Sequence, residues 1–411
     1  MNSRKRDYLP WIVMSCLGLC SAACYGAAMI LFSFFTTGIS QELHTSISTL
    51  SYYFTIIVLV MAVIMPFLPK ILKKLNTKFL YTAISCIVTL IFFLMSTFNN
   101  IYMYFISAII LGICVSFLTF VPVGIILDNW FVEKKGLAVG ICWGISSVFN
   151  FIFAPIFSNL ITQLGYRKSF VILAIIVGVI SIPSALFGIH FDPEQLGRKP
   201  YGYNRKLLNK NNEQACGEIS NKDLLHSPAF WILGVMIVLL QFPAVFLQLI
   251  PTFAVKSGFS LATGGFMVSA AMIADIILNL VIGASFDKIG SEKASLGWFI
   301  LILISYLSLF VATQIHSTSL AICGAAINDT MYVYLGTGIT ALASSLLGKR
   351  AFAKGFSLVS SISFFLGAFG MPVNTGIAEL TGGYAAVLGF WSIIVVIMFI
   401  LTLVGMKHHF E

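Results

Sequence analysis

Asp275 and Asp329 are charged side chains deep inside long apolar stretches, in a chain that is 59% hydrophobic and only 9% charged. A carboxylate in hydrocarbon costs several kcal/mol unless it is protonated, paired or facing a water-filled cavity. Two kinds of chemistry follow for each: taking up and releasing a proton or binding a cation, or a structural role as a hydrogen-bonded carboxyl. Asp275 and Asn279 share a helix face at four-residue spacing, and Asn328, Asp329 and Tyr332 lie within about one turn of each other. Both groups fall near the middle of their apolar stretches. Gln241 and Gln248, seven residues apart, with Tyr25 and Asn374, offer uncharged hydrogen bonds to a solute. Hydrogen bonding between helices accounts for each of these four equally well.

The elements that must position these residues are long apolar runs. Stretches able to cross about 30 Å of hydrocarbon as helices start near Trp11, Leu50, Phe79, Ile101, Gly136, Phe170, Phe230, Leu261, Leu296, Leu320, Gly355 and Ala385. The expectation is an all-α membrane protein with twelve transmembrane helices. A mean hydropathy of +0.97 excludes soluble classes. The basic residues set the orientation, because short loops rich in Lys and Arg stay in the cytoplasm. With the amino terminus inside, only Arg167, Lys168 and Lys256 of the 24 basic residues fall outside, which places both termini in the cytoplasm. The net charge of +9 is then topology signal and attraction to anionic headgroups of the lipid bilayer, with no nucleic acid implied.

Residues 191–227 form a polar segment carrying Pro193 and Pro200, which divides the chain into a six-helix bundle over 1–190, a cytoplasmic central loop over 191–227 and a second six-helix bundle over 228–411. The halves repeat each other. Lys135-Gly136 corresponds to Lys354-Gly355, Pro155 to Pro372, Gly165-Tyr166 to Gly383-Tyr384, and the loop from Pro69 to Lys78 to that from Gly283 to Lys293. Such repeats build many transporters. Seven of the eight cysteines sit in apolar runs and Cys216 in the central loop. The stack of Cys16, Cys20 and Cys24 reads as small residues at a helix contact, so no metal site and no cofactor is expected.

In the loop after the eighth span, Gly283, Asp287, Lys288 and Gly290 resemble the G-x-x-x-D-[RK]-x-G signature of the major facilitator superfamily. The first-half copy is degenerate, with Lys73 where the family prefers Asp, Lys74 at the basic position and Asn76 at the glycine. The resemblance implies a gating motif at this pair of loops. Gly290 permits a left-handed turn and Asn76 tolerates one. A narrower stretch, Trp130-Phe131-Val132-Glu133-Lys134-Lys135-Gly136-Leu137-Ala138-Val139-Gly140-Ile141, is similar to the W-F-x-x-[KR]-[KR]-G-L-A-x-G-I motif of the oxalate/formate antiporter and monocarboxylate porter branch. Here Trp130 and Phe131 suit the membrane-interface belt, and Gly136, Gly140 and Gly144 allow close helix packing.

That resemblance implies two pseudo-symmetric six-helix bundles and a cavity lined mainly by spans one, four, seven and ten, which gives Asp329 the stronger claim to the cavity. It also implies a basic residue in the eighth span for carboxylate carriers, where this chain has Asp275 followed by Asn279, and no Lys or Arg lies inside the first, eighth or eleventh span. The expected function is secondary transport of a small organic solute, a carboxylate by family resemblance, driven by H⁺ or a counter-transported anion. The alternatives are a proton-coupled exporter of cationic or neutral amphiphiles and a non-transporting sensor with the same fold. No phosphate-cradling loop or nucleophile triad is present, so an enzyme is not expected. A monomer in a prokaryotic cytoplasmic membrane is the simplest home.

Overall fold

The computed structural model describes residues 8–202, 226–340 and 365–406, together with 342, 343, 345–347, 356, 359, 362 and 363. These residues are almost entirely helical, and an isolated parallel bridge joins Phe131 to Tyr201. Among them nine helices are long and apolar enough to cross a membrane, from Leu9–Phe34 to Ala385–Gly405. Of the other three expected spans, two are interrupted within the described residues. The fourth is split into Ile101–Ser116 and Phe120–Trp130, the tenth breaks after Asn328, and the eleventh runs through residues outside the described set before Gly370–Thr381. Twelve stretches are therefore legible as apolar sequence, but not each is a continuous helix.

Helix ends follow local chemistry. Asn76, Asn100, Ser260 and Ser317 are N-caps whose side chains accept from backbone N–H groups of the first turn. At the start of Ser291–Ile315 stands Gly290 with φ +84° and ψ 148°, a conformation close to glycine-only. Pro155 and Pro183 lie inside continuous helices, Lys135–Leu164 and Tyr166–Gly188. The exterior is apolar. Phe79 is 76% exposed and Leu380 90% exposed, which only hydrocarbon makes favourable over such an area.

By contact the chain forms two units. Unit 1 holds Met1–Phe32, Val60–Asn150 and Leu164–Ala215; unit 2 holds Ser33–Leu59, Phe151–Gln163 and Cys216–Glu411. Unit 2 thus takes in segments of the first, second and fifth spans as well as the spans after the central loop.

In unit 1 the Trp130-Phe131 motif is not at an interface belt. Both rings are fully buried. Trp130 Nε1 donates to the His190 carbonyl at 2.8 Å, and Asn129 Nδ2 to that of Phe191 at 3.1 Å. Tyr201 N donates to Trp130 O and Val132 N to Tyr201 O, and Trp11, Phe131 and Tyr201 stack edge to face around them. The start of the central loop supplies acceptors that the indole would otherwise have sought in water, and this burial overrides the belt preference of tryptophan.

Candidate functional site

The seventh span runs Pro228–Ala244, breaks at Val245, and resumes as Phe246–Lys256. Pro243 lacks the N–H that would continue the ladder. The tenth span runs Thr318–Asn328, turns at Asp329, continues as Thr330–Val333 and then widens into a π-type turn at Tyr334–Gly338. Irregular backbone at membrane depth persists where it is buried in protein or lines a cavity. Here the two breaks face one narrow pocket, whose wall is Pro243, Ala244, Phe246, Leu247 and Ile250 from the seventh span, Ala271 from the eighth, and Ala325, Asn328, Asp329, Met331 and Tyr332 from the tenth. It has room for about one water molecule.

Asp329 is the charged residue of that wall. It is 4% exposed, and its Oδ2 has no hydrogen-bond partner. Asp275, on the eighth span, acts on it electrostatically as a like charge. The Asp275 carboxylate in turn accepts from Asn279 Nδ2 at 3.2 Å, and the same amide donates to the Asp275 carbonyl at 2.9 Å. Asn328, also in the wall, has its Nδ2 donating to Ser305 Oγ at 2.8 Å. A buried carboxyl with a like charge acting on it can take up a proton or hold a cation.

The uncharged candidates divide. Asn374 is fully buried and satisfied on both sides: Nδ2 donates to Phe242 O at 2.7 Å, and Oδ1 accepts from Trp391 Nε1 at 2.9 Å. It joins the seventh, eleventh and twelfth spans and has no free group for a solute. Gln241 lies against Gly367, where an added Cβ would sit 2.7 Å from its Cγ, so it fills a helix contact. Gln248 is on the second segment of the seventh span, Phe246–Lys256, outside the pocket wall, with a buried Oε1 that has no partner. Tyr25 belongs to unit 1, on a π-type turn at Ala22–Gly26, edge to face with Trp143 at 6.5 Å. Sequence reasoning missed Asn150, 1% exposed, whose Nδ2 donates to Ser146 O while Oδ1 has no partner beside Gly26. The available signal was an amide in the apolar middle of a long helix.

Of the gating residues, Lys288 is in the last turn of Leu261–Ile289 and Gly290 takes the positive φ its position requires. The side chains of Gly283, Asp287 and Lys73 lie outside the described residues, as do Cys216, Lys349 and Lys354. Lys74 is exposed. Asn76 makes no left-handed turn: its backbone is extended at φ −66°, ψ 111°, and its side chain caps Thr77–Met95 through Lys78 N and Phe79 N. An amide at a helix start gains more from orphan N–H groups than from the turn that glycine would make there. The seven described cysteines are free, and the described residues contain no cluster able to hold a metal ion.

Comparison with known proteins agrees with this architecture. Over 379 residues the chain is 24% identical to an MFS-type transporter of Aspergillus fumigatus, covering 87% of this chain and 82% of that protein. It is 26% identical over 207 residues to monocarboxylate transporter 12 of Xenopus laevis, a match spanning 46% of this chain and 43% of that relative's length. Among solved structures, the nucleoside transporter NupG superposes with a TM-score of 0.70 at 12% identity over 97% of this chain and 99% of its own. A bacterial homologue of the human lysosomal transporter Spinster gives 0.69 at 13% over the full length of both. At such identities these two likenesses concern the fold. The sequence model of the Major Facilitator Superfamily matches residues 17–371, and the chain belongs to that superfamily of membrane transporters.

Proposed function

We propose that the protein is a proton-coupled secondary carrier of a small organic solute, with Asp329 as the residue that carries the proton. The observation behind this is the unpartnered, buried Asp329 oxygen in an apolar pocket at the meeting of two helix breaks. A buried carboxyl with no base beside it is stable when protonated, and a protonated carboxyl can donate to a solute as well as accept from one. When the pocket opens to water the proton leaves, and the solute loses its donor. Six-helix halves rocking about this site, with both termini cytoplasmic, would supply the opening.

A monocarboxylate is the first solute class. The Trp130 to Ile141 motif and the likeness to a monocarboxylate transporter support it. The pocket wall has no basic residue, so the anion would enter accompanied by its proton instead of being held by a fixed positive charge. A second reading, export of cationic or neutral amphiphiles, is favoured by that same acidic and apolar wall.

The test is accumulation in proteoliposomes of labelled carboxylates, amines and neutral solutes, with and without an imposed pH gradient, for the native chain and Asp329→Asn. The expected result is gradient-driven carboxylate accumulation that Asp329→Asn converts to exchange alone. Accumulation of amines in place of carboxylates selects the second reading. Undiminished gradient-driven accumulation by the variant assigns Asp329 to structure.

A further inference from the structure

Within unit 1 the segment that follows the sixth span, from Ile189 to Gly202, is pinned at the level of the backbone. Trp130 Nε1 and Asn129 Nδ2 donate to the carbonyls of His190 and Phe191, and Tyr201 uses both of its backbone groups on the stretch from Trp130 to Val132. Glu133 N adds a longer bond to the Tyr201 carbonyl at 3.3 Å. Gly202, at φ +77°, lies so close to the Glu133 side chain that a Cβ there would sit 2.5 Å from its Cβ and Cγ. Ile189, at the start of the segment, is fully buried. Three spans meet at this clasp: the first through Trp11, the fourth through Trp130 and the sixth through His190.

A titratable ring sits among these contacts. His190 Nδ1 is buried without a hydrogen-bond partner. With the ring neutral and its proton on Nε2, that nitrogen is an idle acceptor; a second proton makes it a buried donor on a charged ring with nothing to receive it. The surrounding charges do not offset this. The first helix, Leu9–Ser21, carries none, and the start of Thr77–Met95 brings Lys78, of the same sign as an imidazolium. Asp128 near the end of Phe120–Trp130 is exposed, as are Glu133 and Lys134 in the loop that follows. The segment itself carries Asp192, whose side chain accepts from Glu194 N, then Glu194 and further on Arg198 and Lys199. Of all these Lys78 acts on the ring, and it adds to burial, the larger cause, in holding the imidazole below its ordinary value.

We propose that the clasp is a proton-operated switch, in which a proton taken up by His190 frees the start of the central loop from unit 1. The ring that must reach water and the carbonyl that receives the Trp130 indole belong to one residue, so hydrating the first draws off the second. In the released form the imidazole is an ordinary one and binds the proton more tightly than in the clasped form. Acid therefore shifts the equilibrium towards release, and neutral pH towards the clasp. The switch stands apart from the carrier reading: it makes the pH beside this loop an input to how spans one, four and six are held together.

The experiment uses the full chain in nanodiscs, carrying Cys216→Ser and a reporter, Ile189→Cys, labelled by a maleimide, with the chain lacking the reporter as background. Each rate is divided by that of a reporter at an exposed position of the same segment, Leu196→Cys, which removes the thiol's own pH dependence. A released imidazole of ordinary pKa, about 6.5, is about nine-tenths protonated at pH 5.5, so the normalised rate should rise about five- to tenfold between pH 8 and pH 5.5. His190→Gln should abolish that rise. Lys78→Met leaves the ring and the clasp in place and relieves the clasped form of a like charge, so the rise should shrink. A level rate in the parent, or the same rise in His190→Gln, overturns the switch. Should His190→Gln label fast at both pH values, its clasp is broken without a proton and Lys78→Met decides: an undiminished rise there overturns the switch, a smaller one upholds it.

Discussion

Asn374→Ala should unfold the carrier more easily without changing how it handles solute. The amide makes two hydrogen bonds, a part-buried one to the Phe242 carbonyl just ahead of the seventh-span break and a buried one from the Trp391 indole. Between transmembrane helices such bonds average about 0.6 kcal/mol and reach about 1.7. Truncation also strands both partners, and the fully buried Trp391 indole then lacks an acceptor, at about 1–3 kcal/mol in proteins generally. The joint loss is thus about 2 kcal/mol, a large fraction of a stability that is marginal to begin with. Thermal or SDS unfolding of purified protein in detergent measures it, and a double-mutant cycle with Trp391→Phe isolates the indole bond. Transport by the fraction that stays folded should keep its apparent solute affinity. Unchanged unfolding combined with weakened solute affinity would refute the reasoning and return Asn374 to the binding site.

Three further outcomes are expected. Asp329→Asn should leave stability unchanged or higher in the same unfolding assay, because the native oxygen it replaces has no hydrogen bond to lose and the amide cannot ionise in the apolar wall. Gly265→Ala should destabilise by about 1–3 kcal/mol, since the new Cβ would lie 2.5 Å from Ser158 Oγ and 3.0 Å from Pro155 Cα, and the latter is backbone that cannot swing aside. His190 lies two residues past the end of the Tyr166–Gly188 helix, and burial, with the Lys78 charge as a lesser cause, holds its imidazole below the ordinary value. The unfolded chain then binds the proton first, so stability present above about pH 6.5 declines as pH falls towards the folded-state value. Unfolding midpoints at pH 5 and pH 8 should differ more in the native chain than in His190→Gln.

Apolar length and the placement of basic residues made the spans legible, because lipid leaves a helix few alternatives. The helix starts at Asn76, Asn100, Ser260 and Ser317 could also be read from residue type. The break at Asp329 could not, since no proline marks it and Asn328 and Thr330 have ordinary helical propensity. Pro155 and Pro183, by contrast, look like breaks and lie within continuous helices. At the site, spacing alone located Asp275 with Asn279 and grouped Asn328, Asp329 and Tyr332. It could not tell a polar side chain aimed at a cavity from one aimed at a neighbouring helix, because both occupy the same kind of apolar surroundings. Asn374 and Asp329 are equally isolated polar residues in sequence. Their difference lies in partners from distant segments: two for the amide, none for one carboxyl oxygen.

The clasp around Trp130 bears on the order in which the chain can be finished during synthesis. Trp130 and Phe131, ahead of the fifth span, are buried, and the partners of this stretch follow the sixth: the carbonyls of His190 and Phe191 and both backbone polar groups of Tyr201. Until the ribosome has released that segment, the Trp130 indole and the Val132 amide have no native acceptor and the loop stays wet. The first six apolar stretches can enter the bilayer one after another, but the packing around Trp130 waits for the residues up to Tyr201. Ribosome-bound chains should therefore leave Trp130 and Phe131 open to added chymotrypsin when stopped after Gly188, and protect them once Tyr201 has emerged.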